Sequence, residues 1–337
     1  MRQFLNPIQK RTLKKIQNAA QSTAMKLMFA MLPAAKAKPR KSAKTTVNKA
    51  PPPPRTPKGR VKKARFSCDL GARDYWLYTP AGAAAAPQGR PLLVMLHGCG
   101  QTPEEFGFCV LYPIQSATAN RNRCWNWYEG GDHPRTDGEA ALLAAMIQDV
   151  SQGHSIAPER VYVAGLSAGA AAALGIAATF PELIAAVGAH SGLPWGAAKG
   201  VISALIAMKT GNPGHKLGAQ MPTILFHGDK DTVVHPRNGR FALLRSVEAY
   251  QGLTVTRKSG KVAGGHSFTR TQHSLGSARV VIEEWVVHGL AHAWSGGGAV
   301  GKHSDPLGPD ASREMVKFFL RHKTTKAPRS AAARVAI

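Results

Sequence analysis

Ser167 lies in Gly165-Leu166-Ser167-Ala168-Gly169, a G-x-S-x-G motif led by the apolar run Val161 to Ala164 and followed by an alanine-rich segment. A serine in that context sits on a sharp turn from strand to helix, with its Oγ free at the tip and a helix N-terminus behind it. Glycine at 165 and 169 lets strand and helix cross where a Cβ would crowd the backbone. A serine hydroxyl attacks a carbonyl only with a base to take its proton and a carboxylate to orient that base. Two later stretches carry such groups: His227-Gly228-Asp229-Lys230-Asp231, and His288-Gly289-Leu290-Ala291-His292-Ala293-Trp294. The order Ser, Asp, His points to Ser167 as nucleophile, Asp231 as orienting acid and His292 as base.

Alternatives exist at two of these positions. Asp229 is the rival acid, although it stands nearer the strand end and suits a turn residue bonding its own backbone. His288, His273 and His266 compete with His292; His288 falls within a strand, and the other two fall in a Gly/Ser/Thr-rich hairpin. His292 lies past the strand end in a Gly-flanked loop, where a base belongs. The developing oxyanion needs two backbone donors, for which Ala168, just after the nucleophile, and Cys99 in His97-Gly98-Cys99-Gly100-Gln101 are the expected pair. Trp125, Trp127, Trp195 and Trp294 are expected as apolar walls for an acyl chain.

These loops need strands to carry them. Pro91–Leu96, Phe108–Tyr112, Ile184–Ala189, Pro222–Phe226 and Val280–Val287 are apolar runs of the kind that fill a parallel sheet covered on both faces. Helical segments at Glu139–Val150, Ala170–Phe180, Phe241–Tyr250 and Arg313–His322 alternate with them, the last capped by Asp310. The fold class is therefore α/β, with an open, mostly parallel sheet whose functional loops gather at the carboxyl ends of its strands. Four of those ends carry HGCGQ, GLSAG, HGDKD and HGLAHAW.

Of 337 residues, 44 are Lys or Arg and 19 Asp or Glu, for a net charge of +25. The excess is concentrated: residues 1–63 hold 17 basic residues and no acidic one. Residues 1–35 read as a basic amphipathic helical segment and 36–63 as a disordered Pro/Lys-rich linker. The enzyme domain is expected over 64–323, with a basic disordered tail at 324–337. No Walker loop, Rossmann glycine motif or H-E-x-x-H is present, so neither cofactor nor metal is expected. No apolar run reaches the roughly 18 to 20 residues that span a bilayer.

Together HGCGQ, the Tyr112-Pro113-Ile114-Gln115 stretch, CWNWY, RVYVAGLSAG, AAVGAHSGLPWGAA, HGDKDTVVHPRN, HAWSGG and DPLGPDASREMVKFFL resemble the polyhydroxybutyrate depolymerase family of esterases, over roughly residues 65–323. The resemblance implies an α/β-hydrolase fold with a Ser167-Asp231-His292 triad, Cys99 as an oxyanion donor, and a short-chain polyester or carboxylic ester as substrate. It also implies a Cys99–Cys124 disulfide, as in some relatives. Two other functions stay open: a feruloyl or acetylxylan type of esterase, and a non-catalytic basic protein that binds surfaces. Residues 1–63 are expected to attach the chain to a polymer granule, with no specific nucleic acid. The Leu27–Leu32 run makes a poor secretory signal, which favours a granule-associated intracellular site, while many relatives are secreted. Relatives usually carry a helix between HGC-x-Q and the next strand. This chain has no room for one, so a less supported oxyanion loop and weaker activity are expected.

Overall fold

Continuous apolar runs become the centre of one sheet. The structure, a computed structural model, describes residues 59–80, 89–98, 110–129, 135–276, 279–298 and 303–324. Its strands are β1 (Gly59–Cys68), β2 (Gly71–Pro80), β3 (Arg90–Leu96), β4 (Val110–Ile114), β5 (Ile156–Leu166), β6 (Ala186–His190), β7 (Thr223–Gly228), β8 (Leu253–Lys261), β9 (Ser267–Leu275) and β10 (Arg279–Val287). They form one sheet in the order β1-β2-β4-β3-β5-β6-β7-β10-β9-β8. The six strands from β4 to β10 in that order run parallel. Antiparallel pairs flank them, β1 with β2 on one side and β9 with β8 on the other.

Helices α1 (Gly138–Gly153), α2 (Ala168–Thr179), α3 (Val201–Thr210), α4 (Arg237–Val247) and α5 (Ala311–Phe319) complete the described elements, with a two-strand ladder of β11 (Trp294–Ser295) and β12 (Ser304–Asp305). Alternation along β5 divides them between faces. Tyr162, Ala164 and Leu166 join a core with Met315, Phe318 and Phe319 of α5. Gly165 points the other way, where an added Cβ would come within 2.4 Å of the Gly169 carbonyl carbon in α2. The α/β-hydrolase fold is thus layered as helix, sheet, helix, with side chains of period two feeding both cores. Helix α5 begins where its sequence directs: the Asp310 carboxylate accepts from Arg313 N at 2.9 Å, satisfying one first-turn donor.

The boundaries depart from expectation in places. Strand β1 starts at Gly59, inside the stretch read as linker, because it pairs with β2 along its whole length despite its charge. Lys63 Nζ lies 4.1 Å from the centre of the Trp76 ring, so a basic side chain is anchored on an aromatic face. Strand β4 lies parallel to β3, and Phe108, the expected start of that strand, lies outside the described residues. The short link expected to lack a helix falls mostly outside the described residues, as do Cys99, residues 1–58 and the tail from 325. Among the described residues, no helix is long and apolar enough to cross a membrane, and no group of three or more His, Cys, Asp or Glu is arranged to hold a metal ion.

Candidate active site

Ser167 joins β5 to α2 with φ 57° and ψ −120°. A non-glycine residue reaches the left-handed region only under strain that its surroundings must hold. Two glycines supply the fit. A Cβ on Gly169 would stand 2.1 Å from the Leu96 carbonyl oxygen of β3, and one on Gly165 would meet Gly169 itself. Ser167 N donates to His190 O at the end of β6 (2.9 Å). Ala168 opens α2 and is buried; its N–H is one of the first-turn donors left without an intrahelical acceptor.

Asp231 follows β7 and is buried. Its Oδ1 accepts Val233 N and Val234 N, both at 2.9 Å, so its own turn fixes the carboxylate plane. Its Oδ2 accepts from His292 Nδ1 at 2.7 Å. Burial pushes the Asp231 carboxyl up, but the hydrogen bond and charge of His292, with His227 beside it, outweigh burial and hold it below the ordinary value. The carboxylate is therefore ionised, and it keeps the His292 proton on Nδ1 and leaves Nε2 as the basic nitrogen. The rival acid behaves differently: Asp229 Oδ2 accepts from His288 Nδ1 (2.9 Å) and Oδ1 from Gly289 N (2.8 Å).

The structure brings Ser167, Asp231 and His292 to the carboxyl ends of β5, β7 and β10, on one edge of the parallel sheet. It does not bring the four tryptophans to one surface. Trp125 is fully buried and its Nε1 donates to His97 O (3.0 Å). Trp294 is buried too, donating to Ser312 Oγ (3.0 Å) and stacking on His190. These two pin backbone and core and are not substrate walls. Trp127 and Trp195 are half-buried and line one groove along α2 with Ala172, Gly175 and Ile176. Cys99 lies outside the described residues. Cys124 is disulfide-bonded, and Cys68 is free and exposed.

Three supporting residues are not legible in the sequence. His190 is wholly buried between Phe226 and Trp294, and its Nε2 accepts Ser295 N (3.0 Å). Burial pushes its pKa down to about 3, so the ring is a neutral strut between the elbow and the His292 loop. Glu139 at the start of α1 accepts from Arg73 Nη2 (3.0 Å), Gln115 Nε2 (2.5 Å) and Asn126 N (2.6 Å). Gln115 N in turn donates to His97 Nε2 (3.1 Å), which ties the segment leaving β3 to the one bearing Trp125. His190 stands in the family-like stretch AHSG, but a buried strut has no spacing signature.

A protein family described as Esterase PHB depolymerase matches residues 73–262. Poly(3-hydroxyalkanoate) depolymerase C of Paucimonas lemoignei is 29% identical over 256 residues, covering 68% of this chain and 60% of that one. Poly(3-hydroxybutyrate) depolymerase of Ralstonia pickettii is 25% identical over 256 residues, covering 66% and 52%. The chain thus spans little more than half the length of these two relatives. Among solved structures, an acetyl xylan esterase from Aspergillus awamori superposes with a TM-score of 0.53 at 17% identity, covering 78% of this chain and 100% of that one. That likeness concerns the fold alone. The matched residues include the elbow, the Asp231 turn and strands β3 to β8, and on that match the chain belongs to the Esterase PHB depolymerase family.

Proposed function

We propose that this chain is a serine esterase that cleaves carboxylic esters through an acyl-enzyme, with short-chain polyhydroxyalkanoate polyester or its oligomers as substrate. The observation that carries this reading is the 2.7 Å bond between His292 Nδ1 and the buried Asp231 carboxylate, on the sheet edge that also presents Ser167 in its strained turn. In the first half-reaction His292 Nε2 takes the proton from Ser167 Oγ as that oxygen adds to the ester carbonyl. The negative charge developing on the carbonyl oxygen is met by the Ala168 amide, with the Cys99 amide proposed as second donor. Collapse expels the alcohol, which receives the proton back from His292. Water then repeats the sequence on the acyl-serine and releases the acid. Asp231 stays ionised throughout and stabilises the imidazolium. The polyester assignment draws on the two depolymerase relatives, and the half-buried Trp127 and Trp195 offer aromatic surface to an acyl chain.

The test is hydrolysis of p-nitrophenyl butyrate and of amorphous polyhydroxybutyrate by the full chain and by Ser167→Ala. Turnover of both substrates, lost by at least about 10³-fold in the variant, is the expected result. Undiminished turnover in Ser167→Ala would remove the esterase assignment, and turnover of p-nitrophenyl butyrate without the polyester would remove the substrate assignment.

A further inference from the structure

The loops bearing Asp231 and His292 touch along their length. Asp229 N donates to Val287 O and Lys230 N to Leu290 O, both at 3.1 Å. Leu290 O lies so close to Gly228 that an added Cβ there would be 2.1 Å away. Gly289, with φ +85°, turns the chain out of β10, and only Leu290 and Ala291 separate it from His292. Both Asp229 oxygens are committed across this junction, one to Gly289 N and the other to His288 Nδ1. His288 Nε2 faces Thr269 Oγ1 at 2.9 Å, and His288 O receives His266 Nδ1 at 3.0 Å. His266 Nε2 is held in turn by Asp305 Oδ2 at 3.0 Å.

We infer that Asp229 and His288 form a positioning pair that clamps the acid loop to the base loop and so sets His292 on Asp231. The inference rests on the esterase reading, but its site is separate from the triad. Neither ring nitrogen of His288 is free to act as a base, since Asp229 takes one and Thr269 the other. The bond to Asp229 uses the Nδ1 proton, which the ring carries in both its neutral and its cationic form when Nε2 accepts from or donates to the hydroxyl. The clamp therefore holds whether His288 is charged or not. Without it, the Gly289 turn that leads to His292 keeps only the two backbone bonds across the junction, and misplacement of a catalytic group by an ångström can cost about a hundredfold in rate.

The experiment compares the full wild-type chain with Asp229→Ala, Asp229→Asn and His288→Gln in three readouts: kcat and KM on p-nitrophenyl butyrate, the low-field proton resonance of His292 Nδ1–H recorded without substrate, and the thermal midpoint. Asp229→Ala should lower kcat by about tenfold or more with KM nearly unchanged, and broaden the low-field resonance while unfolding stays cooperative. Asp229→Asn keeps an acceptor for Gly289 N and should recover part of the loss. Unchanged kcat and an unchanged resonance in Asp229→Ala overturn the clamp. If Asp229→Ala does not fold, His288→Gln takes its place: a lowered kcat with a broadened resonance supports the clamp, and no change in either overturns it. If the wild type shows no Ser167-dependent turnover, the esterase reading fails on its own, and the resonance, which needs no substrate, still decides the clamp.

Discussion

One five-residue stretch, His227 to Asp231, supplies the acids of two Asp–His pairs that differ little in distance and greatly in setting. Asp231 and His292 meet at 2.7 Å with side chains 0% and 12% exposed, whereas Asp229 and His288 meet at 2.9 Å with 37% and 41% exposed. Water screens the second pair and is kept from the first, so the same contact length implies different electrostatic worth. The rings differ as well. His288 has both nitrogens occupied, while Asp231 engages His292 through Nδ1 and leaves its opposite nitrogen as the basic one. A buried carboxylate held by two amides of its own turn orients a base; a half-exposed one bridging two loops orients a backbone.

The largest predicted effect follows directly. Asp231→Asn and His292→Ala should each lower kcat by at least about 10³-fold, because a wrong tautomer or an absent base disables the nucleophile. Asp229→Asn should cost far less. Equal losses at 229 and 231 would erase the distinction between the pairs, and a larger loss at 229 would reverse the assignment of the acid.

Burial also separates the histidines of this protein, and pH sharpens that contrast. His190 has its pKa pushed from 6.5 down to about 3 by burial, and His322 is pushed down to about 4 for the same reason. A lowered folded value means that the unfolded chain binds protons first as pH falls. Stability is therefore full above about 6.5 and is lost progressively towards 4, by about 1–2 kcal/mol per histidine between pH 6.5 and 5. The depressed Asp231 carboxyl acts in the same sense but in a lower window, around and below its ordinary value of 3.8. Urea unfolding from pH 7 to pH 4.5 should show the histidine slope, and His190→Gln, which retains an acceptor for Ser295 N, should flatten it. An equal slope in wild type and variant would show that His190 is not the neutral strut described.

What can be read from sequence follows the same divide between buried and exposed. Strands β6 and β7 are buried at every residue and are legible as apolar runs, and the elbow is legible because only glycine fits at 165 and 169. Strand β1 carries Arg60, Lys62, Lys63 and Arg65 on largely exposed positions and therefore has the composition of a linker. Helix α3 buries only Ala204 and Ala207 while Ile202 and Ile206 are exposed, so its apolar residues mark no single face. In the site, chain order identifies Ser167, Asp231 and His292 as the residues to bring to one edge. The tryptophans show the limit. Trp125 and Trp127 are two residues apart, one wholly buried and one half-buried, and the choice is set by an indole N–H whose acceptor, His97 O, lies 28 positions away.

The smallest predicted effect completes a graded series. Arg65 and Asp74 sit across from each other on β1 and β2, with Arg65 Nη1 2.8 Å from Asp74 Oδ1 and side chains 64% and 58% exposed. By distance alone this pair should rank between the other two. By burial it ranks last, since two mobile side chains in water gain little from attraction and lose rotamer freedom to hold one geometry. Asp74→Asn should therefore change unfolding free energy by no more than about 0.5 kcal/mol, and less in high salt, where exposed charges are screened. Catalysis should be untouched, because β1 and β2 lie at the edge of the sheet, away from β5, β7 and β10. The measurement is denaturant unfolding of Asp74→Asn at low and high salt beside Asp229→Asn. A loss at Asp74 matching that at Asp229 would show that contact distance, and not exclusion of water, sets the worth of such side-chain pairs in this protein.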